Sequence, residues 1–248
     1  MSYLPYKLTD PIGRRATLGL IVLQVDETLE HDFRRLFAAP DIALYVSRIA
    51  SGAELTPDTI AQMALDLPAA ARLLPPAAQF DAVGYGCTSG TTLIGAARVA
   101  ELVRGACTAR NVADPLTAAI AAMHLLGLRK IAIVSPYIDS VSVPIRRAFE
   151  AAGISVPDSA SFGEEIEAHV ARIDPASIRS AALEVGRSSQ VEAVFLSCTN
   201  LRTLDILDDL EAELGKPVLS SNQVLAWQLA QMSGELRLAA RPGRLLKV

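Results

Sequence analysis

The chain has 248 residues, of which 51% are hydrophobic and 20% are charged, and its formal net charge is −4. This length and apolar fraction predict one large globular domain or two of about 120 residues, and they exclude a disordered chain. The near balance of 23 basic and 27 acidic side chains offers no electrostatic basis for binding nucleic acid or an anionic membrane. No apolar run can span a bilayer and no secretory signal is recognisable, so we expect a cytoplasmic protein.

Short apolar runs alternate with longer segments rich in alanine and leucine. The runs that predict strands buried on both faces lie at 18–23, 42–49, 82–85, 131–134 and 193–196. Helix starts are indicated by Thr56-Pro57 and Asp174-Pro175, because each pair places a capping side chain before a proline. Gly127 and Gly153 stand where helix C-terminal glycines are expected. This alternation predicts an α/β fold with parallel sheets.

An internal repeat relates two parts of the chain. Residues 81–93 can be laid over 192–204 with the acid, Ala, Val, Cys, Thr, Thr and Leu in register. Residues 18–21 match 131–134 in the same order. The repeat predicts two pseudo-symmetric halves, each a short parallel sheet flanked by helices. We expect the first half to comprise 1–114 with 222–248, because the helix starting near Ser221 would fold back, and the second to comprise 115–221.

The repeat contains two of the three cysteines, Cys87 and Cys198, each at the end of a predicted strand and before a stretch predicted as helix. Ligands of open parallel sheets bind at this edge. A helix N-terminus holds a carboxylate and lowers the pKa of a thiol. If the halves face each other, the two thiols meet in one cleft, which suits a reaction in which one removes a proton and the other returns it.

The alternative is that a cysteine packs as a small hydrophobic residue. We adopt it for Cys107, which lies outside the repeat, whereas the matched context of Cys87 and Cys198 favours a function. A zinc site is not expected, because no Cys or His pair has ligand spacing. The three histidines, at positions 31, 124 and 169, are scattered and give no support to a Cys–His pair.

These motifs resemble the aspartate/glutamate racemase superfamily, in its branch of maleate cis-trans isomerase and arylmalonate decarboxylase. The segments that carry the resemblance are 19–22, 86–89, 135–137, 197–203 and 217–223. Within the branch, residues 20–33 look most like the ectoine-utilisation-type members. The resemblance implies an enzyme without a cofactor, with its active site in the cleft between two pseudo-symmetric halves and a small carboxylate as substrate. Many enzymes of this type are oligomers, so a homo-oligomer is left open.

The resemblance also implies roles for individual residues. Cys87 and Cys198 match the two catalytic cysteines, and Tyr137 matches a tyrosine that positions substrate. The positions that cradle a substrate carboxylate are matched by Thr88, Ser89, Thr199 and Asn200.

Two departures from the isomerase pattern bear on the substrate. The isomerases have Ser-Ser-Asn where this chain has Gln24-Val25-Asp26, and a second isomerase asparagine falls at Glu167 in a loose alignment. Carboxylates at these positions would repel a dicarboxylate and would suit an ammonium or amide N–H. Asp26 is therefore assigned to substrate binding, with capping of the helix that starts near Thr28 as the alternative.

The sequence therefore predicts a racemase or epimerase acting on an amino-acid-like carboxylate. The alternative is a cis-trans isomerase of the maleate type, in which a cysteine adds to a C=C bond. An arylmalonate-type decarboxylase is weaker, because that branch typically keeps one of the two cysteines, and a non-catalytic metabolite binder is the remaining alternative. For an enzyme, Cys87 and Cys198 should be alkylated faster than Cys107 at neutral pH. Arg202 is left without an assigned role.

Overall fold

The structure is a computed structural model that describes residues 3–52 and 56–248. Its strands, in chain order, are β1 (Ala16–Leu23), β2 (Ile42–Ile49), β3 (Phe80–Gly86), β4 (Ala109–Ala113), β5 (Lys130–Ser135), β6 (Ser155–Ser161), β7 (Ala193–Leu196) and β8 (Val218–Ser220). Its α-helices are α1 (Leu29–Leu36), α2 (Pro57–Arg72), α3 (Thr88–Ile94), α4 (Ala96–Arg104), α5 (Pro115–Leu125), α6 (Asp139–Ala151), α7 (Glu167–Val170), α8 (Pro175–Gly186), α9 (Leu207–Leu214) and α10 (Ser221–Met232).

The strands form two parallel sheets of four strands with the same relative order. The first is β2-β1-β3-β4 and the second is β6-β5-β7-β8. Helices flank both sheets, and the inner strands β1, β3, β5 and β7 are almost wholly buried, which explains their continuous apolar sequences. The predicted α/β fold with two similar halves is confirmed.

The acids at the start of the repeat have a structural role in both halves. Asp81 Oδ2 accepts a hydrogen bond from the Thr17 amide at 2.9 Å, at the start of β1. Glu192 Oε2 accepts from the Arg129 and Lys130 amides at 2.7 and 2.9 Å, at the start of β5. Each acid therefore binds backbone donors of the neighbouring inner strand, which explains why an acid recurs at both positions.

The predicted helix starts are confirmed. Thr56 accepts from the Thr59 amide at 3.2 Å, and Asp174 accepts from the Ala176 and Ser177 amides at 3.0 Å. Gly127 and Gly153 have φ of +70° and +78°, a left-handed conformation that favours glycine after a helix.

The last helix, α10, follows β8 of the second sheet but packs on β3 and β4 of the first sheet and on α5. The division into 1–114 with 222–248 and 115–221 stays a prediction. The contacts of α10 with β3 and β4 agree with it, whereas α5, which it assigns to the second half, also packs on α10. Among the described residues, no helix is both long and apolar enough to cross a membrane.

Candidate active site

The two repeat-matched cysteines lie at the carboxyl ends of equivalent strands. Cys87 follows β3 directly, and Cys198 follows β7 after one residue. Their side chains are 3% and 4% exposed. Tyr137 comes two residues after β5 and is buried. Burial raises the pKa of its hydroxyl well above the ordinary value, and the nearby Cys198 and Cys87 raise that pKa further when they are ionised. The structure thus gathers residues from both halves into one buried cluster.

Cys87 caps a helix through its sulfur atom. It is the residue before α3, and its Sγ accepts a hydrogen bond from the Gly90 amide at 3.1 Å and lies 3.5 Å from Ser89 Oγ. A Cβ atom at position 90 would come within 2.6 Å of Tyr85 Oη and 2.8 Å of Cys87 Sγ. The glycine is therefore required for the close packing of the helix on this thiol.

Cys198 has a different backbone environment, and the prediction of a helix directly after it is wrong. Residues 199–203 form a turn and an irregular segment, followed by a short 3₁₀ helix, Leu204–Ile206, before α9 begins. The Cys198 Sγ accepts a long hydrogen bond of 3.4 Å from the Asn200 amide, and the Tyr137 hydroxyl also interacts with this thiol. The turn is held by bonds from elsewhere in the fold, which override the local pattern.

Backbone N–H groups do lower the pKa of both thiols, as expected, but the net shift of each pKa is upward. Burial raises the pKa of Cys87 to about 11, although Ser89 and the Gly90 amide lower it in part. Burial and the Glu167 carboxylate together raise the pKa of Cys198 well above its ordinary value. Both thiols are consequently protonated at neutral pH in the unliganded protein, because desolvation outweighs the helix contribution.

Asn200 connects the two halves around Cys198. Its Oδ1 accepts from the Glu27 amide at 2.8 Å, and its Nδ2 donates to Glu167 Oε2 at 2.9 Å and to the Glu167 carbonyl at 3.2 Å. The side-chain amide of Asn200 is therefore occupied by protein partners. Burial raises the pKa of Glu167 to about 7, so its carboxyl group exchanges a proton near neutral pH.

Asp26 lies on the same side of the cluster and is 2% exposed. Its Oδ1 accepts from the Thr28 and Leu29 amides at 2.8 Å each, which is the capping contact foreseen as the alternative. Its Oδ2 has no hydrogen-bond partner in the part of the chain that the structure describes. Burial raises the pKa of Asp26, and the two amides, the nearby Thr199 hydroxyl and Arg48 lower it in part. One oxygen is structural and the other is unsatisfied.

The hydroxyl groups predicted to cradle a carboxylate are buried at the contact of the two halves. Thr88 Oγ1 lies 2.9 Å from Ser221 Oγ, and Thr199 Oγ1 donates to the Gly86 carbonyl at 3.2 Å. Ser89 is buried beside Cys87. The roles of these residues in binding substrate stay predictions.

Asp32 and Asn222 form a buried pair that the sequence did not indicate. Asn222 Nδ2 donates to Asp32 Oδ2 at 2.8 Å and to the Thr199 carbonyl at 2.9 Å. Asn222 thereby holds the peptide that comes after Cys198. The sequence signal for this pair was the short polar run 220–223, which begins at the last residue of β8. Nothing in the local sequence indicates which groups these side chains contact.

Arg202 lines a cavity of about 300 Å³ between α1 and the segment after Cys198. Neither Cys87 nor Cys198 lines this cavity. Within residues 3–52 and 56–248, no group of three or more His, Cys, Asp or Glu side chains is placed to hold a metal ion.

Comparison with known proteins shows which family this chain resembles. A sequence profile of arylmalonate decarboxylase matches residues 94–246. The arylmalonate decarboxylase of Bordetella bronchiseptica is 32% identical over 129 residues, which cover 51% of this chain and 53% of that protein. The maleate isomerase of Geobacillus stearothermophilus is 27% identical over 151 residues, covering 58% and 60%. The matches thus span little more than half the length of these curated relatives.

The fold is similar over nearly the whole chain to that of a Nocardia farcinica maleate cis-trans isomerase mutant with a covalently bound succinylcysteine intermediate. The TM-score is 0.83 with 21% identity, covering 93% of this chain and 98% of that one. The family match and the two curated relatives place the chain in the aspartate/glutamate racemase superfamily, in the branch of maleate isomerase and arylmalonate decarboxylase. The chain belongs to the arylmalonate decarboxylase family. The particular likeness to ectoine-utilisation-type members stays a prediction.

Proposed function

We propose that the chain is a cofactor-independent isomerase of the racemase or epimerase type, acting on a small amino-acid-like carboxylate with Cys87 and Cys198 as its acid–base groups. The observation that carries the proposal is the pair of buried thiols at equivalent strand ends, with Tyr137 beside both. Membership in the arylmalonate decarboxylase family and likeness to maleate isomerases support its coarser part, which is cofactor-independent chemistry at a cysteine.

In this mechanism the thiolate of one cysteine takes the α-proton from one face of the substrate. The C–H bond breaks, an S–H bond forms, and the electron pair stays on the substrate as an enediolate. The opposite thiol then gives its proton to the same carbon from the other face. Nothing is oxidised or reduced. Preorganised donors must stabilise the enediolate, a role we assign to the hydroxyls of Thr88 and Ser89. The Thr199 hydroxyl joins them only if it gives up its bond to the Gly86 carbonyl.

One thiol must lose its proton before the first step. We assign Glu167 as the acceptor of the Cys198 proton, because it is an ionisable group close enough for its charge to act on that thiol. The Glu167 carboxylate raises the pKa of Cys198, so the transfer is unfavourable in the unliganded site and the bound substrate must stabilise the thiolate. A thiolate formed at Cys198 is then the base, and the Cys87 thiol is the acid. Tyr137, whose hydroxyl is held beside both, positions the substrate between them.

The acidic groups near Cys198 support an amino-acid-like substrate over a dicarboxylate. The unpartnered Asp26 Oδ2 and the Glu167 carboxyl group offer acceptors for an ammonium or amide N–H. A second substrate carboxylate about 4 Å from an ionised acid would be repelled by roughly 4 kcal/mol at an effective dielectric constant of about 20.

The test is incubation of single enantiomers of α-amino acids and N-acyl amino acids in D2O, followed by ¹H NMR and chiral chromatography. We expect solvent deuterium at Cα and loss of optical purity. Cys87→Ser and Cys198→Ser should each lower the rate by about a hundredfold or more. Cys107→Ser makes the same chemical change outside the cluster and should retain the rate. Racemisation that leaves the product without deuterium at Cα would contradict the two-thiol mechanism.

A second candidate is cis-trans isomerisation of an unsaturated diacid. The covalent succinylcysteine in the Nocardia maleate isomerase favours it. Here the thiolate adds to the C=C bond, the resulting single bond rotates, and the sulfur leaves as the double bond re-forms. In a Cys198→Ser or Cys87→Ser variant incubated with maleate, mass spectrometry should detect the adduct on the remaining cysteine. Absence of both turnover and adduct eliminates this candidate.

A further inference from the structure

The two halves differ in the backbone structure after each cysteine, and a cavity lies where they differ. After Cys87 the chain forms α3, which packs against α6 of the opposite half. After Cys198 it forms an irregular segment instead. The cavity of about 300 Å³ lies between α1 of the opposite half and residues 202–205 of this segment. That volume is at the lower end of small-molecule sites.

The charged side chains of the cavity leave one strong cation unpaired. Glu27 is paired with Arg172 at 2.9 Å, and Asp205 is bonded to Arg35. The third acid of the lining, Asp32, accepts from Asn222 and lies 3.8 Å from Arg35. Arg202 makes no ion pair or side-chain hydrogen bond within the described residues. A free guanidinium at the edge of a pocket is suited to a carboxylate or phosphate, which it binds through two parallel hydrogen bonds.

A buried polar group in the same cavity wall also lacks a partner. Thr203 is 1% exposed, and its Oγ1 makes no hydrogen bond to any described residue. Buried hydroxyls are normally satisfied by protein or by a bound molecule. Arg202 and Thr203 are adjacent in sequence, so the unpaired charge and the unsatisfied hydroxyl line one wall.

The opposite wall is bonded to the peptides that come after Cys198. Thr28 Oγ1 donates to the Asn200 carbonyl at 2.9 Å. Asp32 accepts from Asn222, which also donates to the Thr199 carbonyl at 2.9 Å. Both Thr28 and Asp32 line the cavity. A ligand that moves either wall therefore acts on the backbone carrying Cys198.

We propose that this cavity is a second binding site, for a small oxyanion held by the Arg202 guanidinium, and that its occupation changes the reactivity of Cys198. The carboxylate and the phosphate group share the required chemistry. The site is distinct from the thiol cluster, and its test does not require turnover. The proposal of a second site can therefore be tested independently of the proposed reaction.

The test uses the full chain with acetate or inorganic phosphate at constant ionic strength, and chloride as reference. Calorimetry should detect saturable binding of at least one anion in the millimolar range. The rate of iodoacetamide labelling at Cys198, followed by peptide mass spectrometry, should change about fivefold or more at saturation, the lower end for coupled sites. Labelling of Cys107 is the internal reference and should stay constant.

Arg202→Gln should weaken anion binding about tenfold or more, because a charge-assisted hydrogen bond is lost. Arg129→Gln is the matched control, since Arg129 is also exposed and its side chain makes no bond that the structure records. Response to phosphate alone or to acetate alone identifies the class of ligand. Absence of saturable binding, equal binding by Arg202→Gln, or an unchanged Cys198 labelling rate would each overturn the proposal.

Discussion

Glu167 Oε2 accepts a hydrogen bond from Asn200 Nδ2 across 2.9 Å, where only 3% of the glutamate is exposed. Among the described residues, Asn200 is the single side-chain donor to the Glu167 carboxylate. The buried acid Asp26 lies nearby and raises the pKa of Glu167 further. Asn200 also accepts from the Glu27 amide of the first half. The ionisation of Glu167 is therefore coupled, through Asn200, to a hydrogen bond between the two halves.

The first prediction concerns stability against pH in Glu167→Gln. Because the folded pKa of about 7 exceeds the ordinary value of 4.5, the folded state binds the proton more tightly. Proton binding by Glu167 therefore adds roughly 3 kcal/mol to the free energy of unfolding below about pH 4.5, and this contribution is lost as the pH rises to about 7. Glutamine stays neutral and keeps an oxygen for Asn200. Thermal unfolding should show the variant gaining stability over the native chain between pH 5 and pH 8.

Glu165→Gln is the control for that measurement, because Glu165 is exposed two residues away. Its stability should follow the native curve. A Glu167→Gln variant whose advantage does not grow with pH would contradict a buried, proton-binding carboxyl group.

The second prediction reverses the order of thiol reactivity expected from sequence. Burial raises the pKa of all three thiols, but Cys87 and Cys198 are fully buried, whereas Cys107 is half-buried. In the unliganded protein at pH 7, iodoacetamide should label Cys107 first, because the thiolate is the reactive form and access is required. Labelling of Cys87 should rise steeply as pH approaches 11. Faster labelling of Cys87 than of Cys107 at pH 7 would refute the burial argument.

The third prediction is that Gly90→Ala perturbs the Cys87 site. The added methyl group would lie 2.6 Å from Tyr85 Oη and 2.8 Å from Cys87 Sγ, so the helix or both side chains must move. Overpacking of this kind costs about 1–3 kcal/mol, measurable by urea unfolding, and should alter Cys87 labelling. Gly105→Ala is a milder control, since φ there is −70° and the nearest atom is 3.3 Å away. Equal stability of the two variants would argue against the contact.

The fourth prediction is that Asn222→Ala lowers stability by about 2–4 kcal/mol, more at pH 8 than at pH 5. Asp32 has a pKa of about 6 because burial raises it and the Asn222 hydrogen bond lowers it. Loss of that donor leaves a buried carboxylate unsatisfied, which is most costly when it is ionised. Gln231→Ala, at an exposed position of the same helix, should change little. A loss that is independent of pH would mean that Asp32 is not the group affected.

The inner strands were predictable because their sequences are continuously apolar. Of the edge strands, β2 was predictable from the apolar run 42–49. The edge strands β4 and β6 were not, because Arg110, Asn111, Asp158 and Ser159 interrupt any apolar run. An edge strand is specified mainly by its pairing with one neighbour, and pairing partners are distant in sequence.

The cysteine pair was predictable from the repeat, but the different environments of its members were not. Sequence similarity between 87–93 and 198–204 suggests the same local structure for both. The segment after Cys198 is instead held by Thr28 and Asn222, through bonds to the carbonyls of Asn200 and Thr199. Local sequence does not reveal such long-range bonds, nor the desolvation that sets the pKa of either thiol.

The placement of α10 affects how the chain folds during synthesis. Domains generally fold from the N-terminus as they emerge from the ribosome. Here β3 and β4 are covered by a helix that is translated after the whole second sheet. The surface of β3 and β4 that α10 covers therefore stays exposed until α10 has left the ribosome, and a nascent chain stalled before residue 221 should bind chaperones more than the complete chain does.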